Sequence, residues 1–408
     1  MAVARDPHLL YAIAMPSVLT LNGGSSSIRF AIFEAGNPPR PLLRGKMERI
    51  GGADAALTVD PGAGAATARI KLEIKAPATA VECLIDWLES QPMFESIGGV
   101  GHRVVHGMLR AAPELVSAEL LQELRKIIPF DPEHLPRELE LIESLRRRRP
   151  ELRQVACFDT AFHRSMPHVA TLLPIPRRYA ACGVQRYGFH GLSYQFLMQE
   201  LVRIGDPAAA QGRIILAHLG SGASLAAVQN GRCIDTSMGF TPAAGLVMGT
   251  RSGDLDPGLM GYLALTDAMT PERFQVMVNH ESGLLGISES SADVRDLLDR
   301  EASDPRAAEA LALFCYQAKK WIGSFAAALG GLDVLVFAGG IGENSGVVRR
   351  RICEGLNHLG IEIDESANER NAQRISPDTG AVRVRVIPTD EESVIAASSM
   401  RTLGFESA

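Results

Sequence analysis

Several short segments of this sequence gather side chains suited to holding and moving anionic groups. Residues 22–29 (NGGSSSIR) offer unhindered backbone N–H groups, three hydroxyls, the Asn22 amide and the Arg29 guanidinium. Such a turn is either a concave nest for phosphate oxygens or an ordinary polar hairpin turn. Arg103 stands among β-formers in GHRVVHG (101–107), and Arg251 lies in the glycine-rich stretch MGTRSGDLDP (248–257). An arginine so placed needs an anionic partner, which is a substrate or a structural carboxylate. Asp159 ends a β-rich run, where catalytic acids of α/β folds collect and where a carboxylate equally caps the segment from Thr160. His190 sits in RYGFHG, and His218 ends a strand that leads into Leu219, Gly220, Ser221 and Gly222. Each histidine is suited to bond a transferring phosphoryl group, or to be a satisfied structural residue. The segment AGGIGEN (338–344) follows an apolar strand and precedes a helix carrying Arg349, Arg350 and Arg351, so its glycines let backbone approach a nucleotide. PTDEE (388–392) brings carboxylates that either cap the last helix or hold a cation.

The elements that must position these residues alternate between short β-rich runs and helical patterns, which is the α/β class. Strands are predicted at 18–22, 28–33, 154–158, 214–217 and 334–338, and the alternation of Val382, Val384 and Val386 with arginines reads as a half-exposed strand. Helices are predicted around Val81–Leu88 spacing, over 135–145, and over 307–329, closed by Gly330 and Gly331. One unit repeats. Residues 18–34 and 214–237 both run from an apolar strand through a Gly/Ser-rich turn directly into a second strand, and Asn230-Gly231 carries the later copy into a third. A Walker or Rossmann loop would run from strand into helix instead. The repeat predicts a duplicated α/β unit with a phosphate-holding turn in each half and the site between them.

The chain has 408 residues, 46% apolar and 22% charged, which suits a folded protein of two domains and excludes a long disordered one. A formal net charge of −6 gives no basic field for nucleic acid, and no apolar run approaches a membrane span. Six cysteines are scattered without CxxC pairs, which argues for a reduced, cytoplasmic protein over a disulfide framework or a zinc site. The apolar stretch before Met15 is short and a poor secretory signal, so Met15 is a candidate initiator beside Met1. The arginine run 146–149 reads as a solvated helix C-terminus.

In order along the chain, NGGSSSIRF, GHRVVHG, FDTAFH, RRYGFHG, HLGSG, DTSMGFTP, GTRSGDLDPG, SADVRD, GGIGEN and IPTDEE closely resemble the acetate kinase family, within the superfamily of sugar kinases, actin and heat-shock ATPases. The match runs over about residues 18–403. The resemblance implies duplicated actin-like (ribonuclease H-like) domains, with 1–160 plus 393–408 in one and 161–392 in the nucleotide-binding other. It implies phosphoryl transfer between ATP/ADP and acetate/acetyl phosphate, with Mg²⁺ or Mn²⁺, in a homodimer. Carried over by position, Asn22 and Glu391 match the metal positions, and Arg103, Asp159, His190 and Arg251 the catalytic group. Ser25, Ser27, Arg29, His218, Leu219, Gly220, Ser221, Gly222, Asp293, Val294, Arg295, Gly340, Ile341, Gly342, Glu343 and Asn344 match the nucleotide site. Arg103, Val105, Phe130, Phe189 and Pro242 match the acyl-substrate pocket.

Four places depart from the family pattern. Arg29 replaces the usual lysine, Ser221 an asparagine, and Tyr194 the last residue of GTSH; the usual PLHNP is Pro129-Phe130-Asp131-Pro132. An acid at 131 opposes an incoming carboxylate unless it is paired, and Phe130 narrows the acyl pocket in favour of acetate. The alternatives are a propionate or other short-chain carboxylate kinase, a non-catalytic nucleotide-binding relative, and pyrophosphate in place of ATP as donor.

Overall fold

The computed structural model describes residues 16–24, 27–48, 55–61, 67–71 and 77–405. Met1, Met15 and the segment between them, on which the start was argued, lie outside the described residues, as does Ser25.

Two sheets organise the chain. The first contains β1 (Ser17–Gly23), β2 (Ser27–Glu34), β3 (Arg40–Glu48), β4 (Ala56–Asp60), β5 (Ala68–Lys71), β6 (Ile97–Val104), β7 (Glu114–Leu115) and β8 (Arg153–Phe158). The second contains β9 (Arg213–Leu219), β10 (Ala223–Gln229), β11 (Arg232–Thr236), β12 (Val334–Ala338) and β13 (Arg383–Val386). Their orders are β5-β4-β3-β2-β1-β6-β8-β7 and β11-β10-β9-β12-β13. The duplication is visible in the pairing. In each half a three-stranded antiparallel meander, β1-β2-β3 or β9-β10-β11, is continued from its first strand by two parallel strands, β6-β8 or β12-β13. This is the actin-like arrangement, present twice. β1 and β9 lie inside their sheets with both faces covered, so both read as largely apolar runs, broken in β1 by the buried Thr20 and in β9 only near its ends, at Arg213 and His218.

The predicted strands and helices are present at or near their expected places, with two differences. The first copy of the repeat also continues into a third strand, β3, which carries Arg40, Arg44, Lys46 and Glu48 on a half-exposed ribbon and so lacks an apolar signal. The glycine segment after β12 is itself helical, Gly339–Asn344, rather than a loop ahead of a helix. Its first residue has φ 75°, and a Cβ there would stand 2.6 Å from the carbonyl oxygen of Leu219, so only glycine lets the helix start against the end of β9.

Helices cover both faces of each sheet. Pro77–Glu89 and Leu135–Arg148 pack on one face of the first sheet, and Pro305–Leu329 on one face of the second. The last helix, Glu391–Leu403, returns to the first sheet, where Gly99 and Gly101 of β6 leave room for Leu403, Ile395 and Ser399. Gly191–Arg203 serves both halves: Tyr194, Leu197 and Leu201 pack on the second sheet, while Leu192 joins the cluster under the last helix. The arginine run is less solvated than expected. Arg148 reaches across to Glu82, Asp86 and Glu89 of the neighbouring helix, and Arg149 lies over the Phe94 ring. All six cysteines are free. No helix among the described residues is long and apolar enough to cross a membrane.

Candidate active site

Strand ends from both sheets bring the expected residues together. Arg103, near the end of β6, lies beside Asp159, the first residue after β8. Its Nη2 and Nε donate to Asp159 Oδ2 at 2.6 and 3.0 Å. Asp159 is fully buried and does not cap the turn that it opens; its Oδ1 accepts from the N–H of Leu192 at 3.4 Å, at the start of the helix Gly191–Arg203. Burial works against the charge of Arg103, but Asp159 and Glu391 outweigh it and hold the guanidinium above its ordinary pKa.

Asn22 links this pair to the last helix. Its Oδ1 accepts from Arg103 Nη1 at 3.2 Å, while its Nδ2 donates to Glu391 at 2.9 Å and Glu392 at 3.3 Å. Both glutamates are buried, and burial together with the Glu391 charge pushes the Glu392 carboxyl up. Two adjacent buried carboxylates with so few donors form an oxygen-rich pocket that fits a hard divalent cation. Among the described residues no group of three or more His, Cys, Asp or Glu could hold a metal ion, so most ligands of such a cation would be water and phosphate oxygens.

The two histidines form one wall. Their rings stack with centroids 4.3 Å apart, and His190 adopts left-handed backbone (φ 57°) where the chain turns into its helix. His190 Nδ1 bonds Ser224 Oγ at 2.8 Å, and Ser224 in turn bonds the buried Tyr194 hydroxyl. His218 Nδ1 bonds Ser193 Oγ at 2.8 Å, and Ser193 bonds Thr389 at 2.8 Å. Burial, reinforced by the other imidazole and by both arginines, holds His190 well below its ordinary pKa. Burial, with Arg103 and Arg29 adding to it, lowers His218 to about 4. Both rings are therefore neutral at pH 7. A Cβ on Gly222 would lie 3.3 Å from His190 Nε2 and 3.7 Å from Arg251 Nη1, so the two groups converge over that glycine. Arg251 donates to Pro242 O at 3.0 Å, and among the described residues no carboxylate lies within 4 Å of it.

The nucleotide candidates meet as four turns. A Cβ on Gly220 would lie 3.9 Å from Gly340 N, the Gly249 N–H donates to Ser221 O at 3.0 Å, and a Cβ on Gly249 would lie 3.2 Å from Ala292 O. Within this group Glu343 is a brace: its Oε1 accepts from the N–H groups of Gly339 (2.9 Å) and Thr389 (3.0 Å). Asn344 bonds Gly340 O at 2.9 Å. Asp293 caps the helix Val294–Arg300 and pairs with Arg295 at 2.6 Å, while the Val294 side chain belongs to the core. Gly342 is buried, Ile341 packs at the core's edge, and Leu219 lies inside the core. Ser27 is half-buried at the start of β2, and Arg29 is exposed two residues on.

The apolar floor consists of Val105, Phe130, Phe189 and Pro242, with His106 packed edge-on against Phe130 and Phe189 at 5.8 and 5.7 Å. Phe130, Asp131, Phe240, Pro242 and Arg251 line a cavity of about 390 Å³. Asp131 is paired after all, with His134 Nδ1 at 2.8 Å. Sequence reasoning missed Glu138, whose buried carboxyl accepts from Val105 N–H (3.1 Å) and is raised well above its ordinary pKa by burial and by Asp131. A signal existed: Glu138 falls on the same helical face as Leu135, Leu139 and Ile142.

A model of the Acetokinase family matches residues 17–397. The chain is 43% identical over 399 residues to an acetate kinase of Methylocella silvestris, covering 95% of this chain and 98% of that one. It is 41% identical over 396 residues to a propionate kinase of Citrobacter rodentium, covering 94% and 96%. The crystal structure of a propionate kinase from Francisella tularensis superposes with a TM-score of 0.88 at 34% identity, covering 95% of this chain and all of that one.

Proposed function

The chain belongs to the acetokinase family and is a phosphotransferase acting on a carboxyl group; on that premise we propose that it moves the γ-phosphoryl group of ATP reversibly to acetate, giving acetyl phosphate and ADP. The observation that carries this reading is the convergence of His190 Nε2 and Arg251 Nη1 over Gly222, with Arg103 held in the same site by Asp159. A carboxylate is ionised at pH 7, so no general base is needed. Its oxygen forms the bond to the γ-phosphorus as the bond to the bridging oxygen of ADP breaks, and the work of catalysis is to align two anions and offset their charge. Arg103 and Arg251 supply that charge. The neutral rings supply Nε2–H donors when Tyr194 donates to Ser224 and Ser224 to His190 Nδ1. Asn22 and Glu391 would hold Mg²⁺ or Mn²⁺, which when bound neutralises phosphate charge, and Asp159 orients the phosphate or its water.

The turns 218–222, 293–295 and 340–344, with Ser27 and Arg29, are our nucleotide site, in which backbone at the glycines and Ser221 does more than the Val294 and Glu343 side chains. Val105, Phe130, Phe189 and Pro242 enclose the acyl group. Propionate is the second reading, supported by the 41% identical propionate kinase. We place residues 1–160 with 393–408 in one domain and 161–392 in the other, a division supported by the last helix lying on the first sheet. A homodimer is supported by the helix Gly258–Thr266, which is rich in apolar residues yet buries none and exposes Tyr262 and Leu265. A cytoplasmic setting is supported by the six free cysteines.

The test is phosphoryl transfer by the purified protein with Mg²⁺ and ATP over formate, acetate, propionate and butyrate, trapping the acyl phosphate with hydroxylamine. Turnover highest with acetate is expected. ATP binding without turnover on any acid would instead favour a regulatory relative, and turnover from pyrophosphate alone a different donor.

A further inference from the structure

Two buried titratable side chains that phosphoryl transfer leaves unused lie behind the histidine wall: His163, the last residue of FDTAFH, and Cys233 of β11. Each is 1% exposed. His163 stands on the same 3₁₀ turn, Asp159–Ser165, that Asp159 opens. Its Nε2 lies 2.9 Å from the carbonyl oxygen of Phe189 and its Nδ1 3.2 Å from the Cys233 sulfur. A carbonyl oxygen only accepts, so Nε2 carries the proton. Burial lowers His163 to about 4, which leaves the ring neutral at pH 7 and Nδ1 an acceptor. Burial also pushes the Cys233 thiol up, so the sulfur keeps its proton; Nδ1 is a nearer acceptor for it than the Asp235 carbonyl oxygen at 3.4 Å. The result is a directed chain, Cys233 S–H to Nδ1 and Nε2–H to Phe189 O. It ends on the peptide that joins Phe189 to His190.

That peptide needs support. Phe189 belongs to the acyl floor and His190 to the wall, and His190 holds φ 57°. Left-handed backbone is unfavourable for a residue with a Cβ and persists only where its surroundings over-determine it. The surroundings here are the turn of Asp159 and His163. A Cβ on Gly188 would stand 2.7 Å from the His163 ring, and one on Gly191 would stand 1.9 Å from Asp159 O. The stretch 188–191 therefore lies directly on that turn. Ser224 fixes the rotation of the His190 ring, whereas His163 fixes the peptide from which that residue projects.

We propose that His163 is a positioning residue for the reacting centre: through the Phe189 carbonyl it sets Phe189 and His190 against Asp159, carried on its own turn, while Cys233 sets its tautomer. The inference rests on the carboxylate-kinase reading and adds to it a buried residue that acts through its neighbours. No bond forms or breaks at His163 or Cys233, and each keeps its proton throughout the reaction.

The experiment uses the full chain with Mg²⁺, ATP and acetate. It compares His163→Gln, whose amide nitrogen reaches the place of Nε2, with His163→Asn, whose amide nitrogen reaches only that of Nδ1. His163→Gln should keep kcat within about threefold of the unsubstituted chain, and His163→Asn should lower it about tenfold or more, because small misplacements at a reacting centre are costly. KM for ATP should stay within about twofold in both, since His163 bonds none of the nucleotide turns. In the ¹⁵N-labelled chain the His163 ring should show a protonated Nε2 and a bare Nδ1, and the His190 ring signals should shift in His163→Asn and hold in His163→Gln. A brace serving stability alone would lower both melting temperatures and leave kcat per folded molecule unchanged, which would overturn the proposal. Equal losses of kcat in the two variants would overturn it as well. If His163→Asn does not fold, Cys233→Ser and Cys233→Ala decide: the serine keeps the donor and should keep kcat, the alanine should lower it about threefold or more, and equal values remove the proposal. If the unsubstituted chain phosphorylates no acid, the kinase reading fails by itself. The His190 ring signals then decide whether His163 positions that residue, a shift in His163→Asn sustaining the tie and unchanged signals removing it.

Discussion

On the histidine wall, each Nδ1 is tied to a serine and each serine to a second hydroxyl, Ser224 to Tyr194 and Ser193 to Thr389. On the floor, formed by Val105, His106, Phe130 and Asp131, one imidazole nitrogen and one carboxylate oxygen are buried with nothing to bond. In our proposal the wall faces a phosphoryl group, whose shape and charge are the same in every turnover, so the protein can fix each donor in advance and lose no reorganisation energy. In our proposal the floor faces the part of the acceptor that differs between acids, and there His106 meets the rings of Phe130 and Phe189 in place of a fixed chain of hydroxyls.

Arg251 belongs to both sides, since it meets His190 over Gly222 and lines the cavity with Asp131. Arg251→Ala should lower kcat by roughly a thousandfold or more, since the role we propose for it is to offset transition-state charge. Its direct bonds to the protein are to Pro242 O and Met248 Sδ, so the melting temperature should move by only a few degrees. Near-normal turnover would mean that wall and floor do not share a reacting centre.

A second expectation treats the two sides alike. Burial holds His102, His106, His163 and His218 near 4, and His190 well below its ordinary value, whether or not each ring is fully bonded. Unfolded histidine titrates near 6.5, so below that pH the unfolded chain binds protons that the native state refuses. Their contribution is fully present above about pH 6.5 and is lost as pH falls toward 4, at about 1.4 kcal/mol per pH unit for each proton. Glu138, Glu392 and Asp235, whose carboxyls burial raises, act in the opposite direction and lose stability as pH rises. Five groups against three leave a net loss on acidification. The urea midpoint should therefore be lower at pH 5.5 than at 7.5, and a midpoint that stays flat or rises would mean that hydrogen bonding, not burial, sets the charge of these rings.

Ser224→Ala separates the sides again. It frees His190 Nδ1 and strands the buried Tyr194 hydroxyl, so kcat should fall about 10- to 100-fold with a smaller change in KM for the acid. Tyr194→Phe, which removes the far end of the chain alone, should cost less. Equal losses in kcat and affinity would place Ser224 under the floor as well.

The types of residue in this site were legible in the sequence because they stand in glycine-bounded turns at strand ends, and β1 and β9 were legible because both faces of an interior strand are covered and its residues are mostly apolar. The Asn230-Gly231 hairpin was legible for a backbone reason: both residues adopt positive φ, 51° and 74°. What failed to show was whatever depends on distant contacts. Ser193, Ser224 and Thr389 matter through bonds that span 25, 34 and 196 positions, which no local pattern encodes. The third strand of the first repeat hid behind its charges. By its place in the sequence Asp159 suits a catalytic acid or a cap for its own turn, yet its second oxygen serves a different helix. At Asp131 the charge is legible from the residue type, but the His134 partner that takes one oxygen is not.

The smallest expected change concerns the apolar half of the floor. Phe130 was expected to narrow the pocket, and its ring packs against Phe240 at 5.3 Å and His106 at 5.8 Å beside the 390 Å³ cavity. Phe130→Ala removes an aromatic surface without touching either unmet polar atom. The ratio of kcat/KM for butyrate to that for acetate should rise about tenfold, because each methylene gained in an apolar pocket is worth roughly 1 kcal/mol or more. If that ratio does not move, the acyl chain lies toward Val105 and Phe189 instead, and the cavity beside Arg251 is a passage to the site.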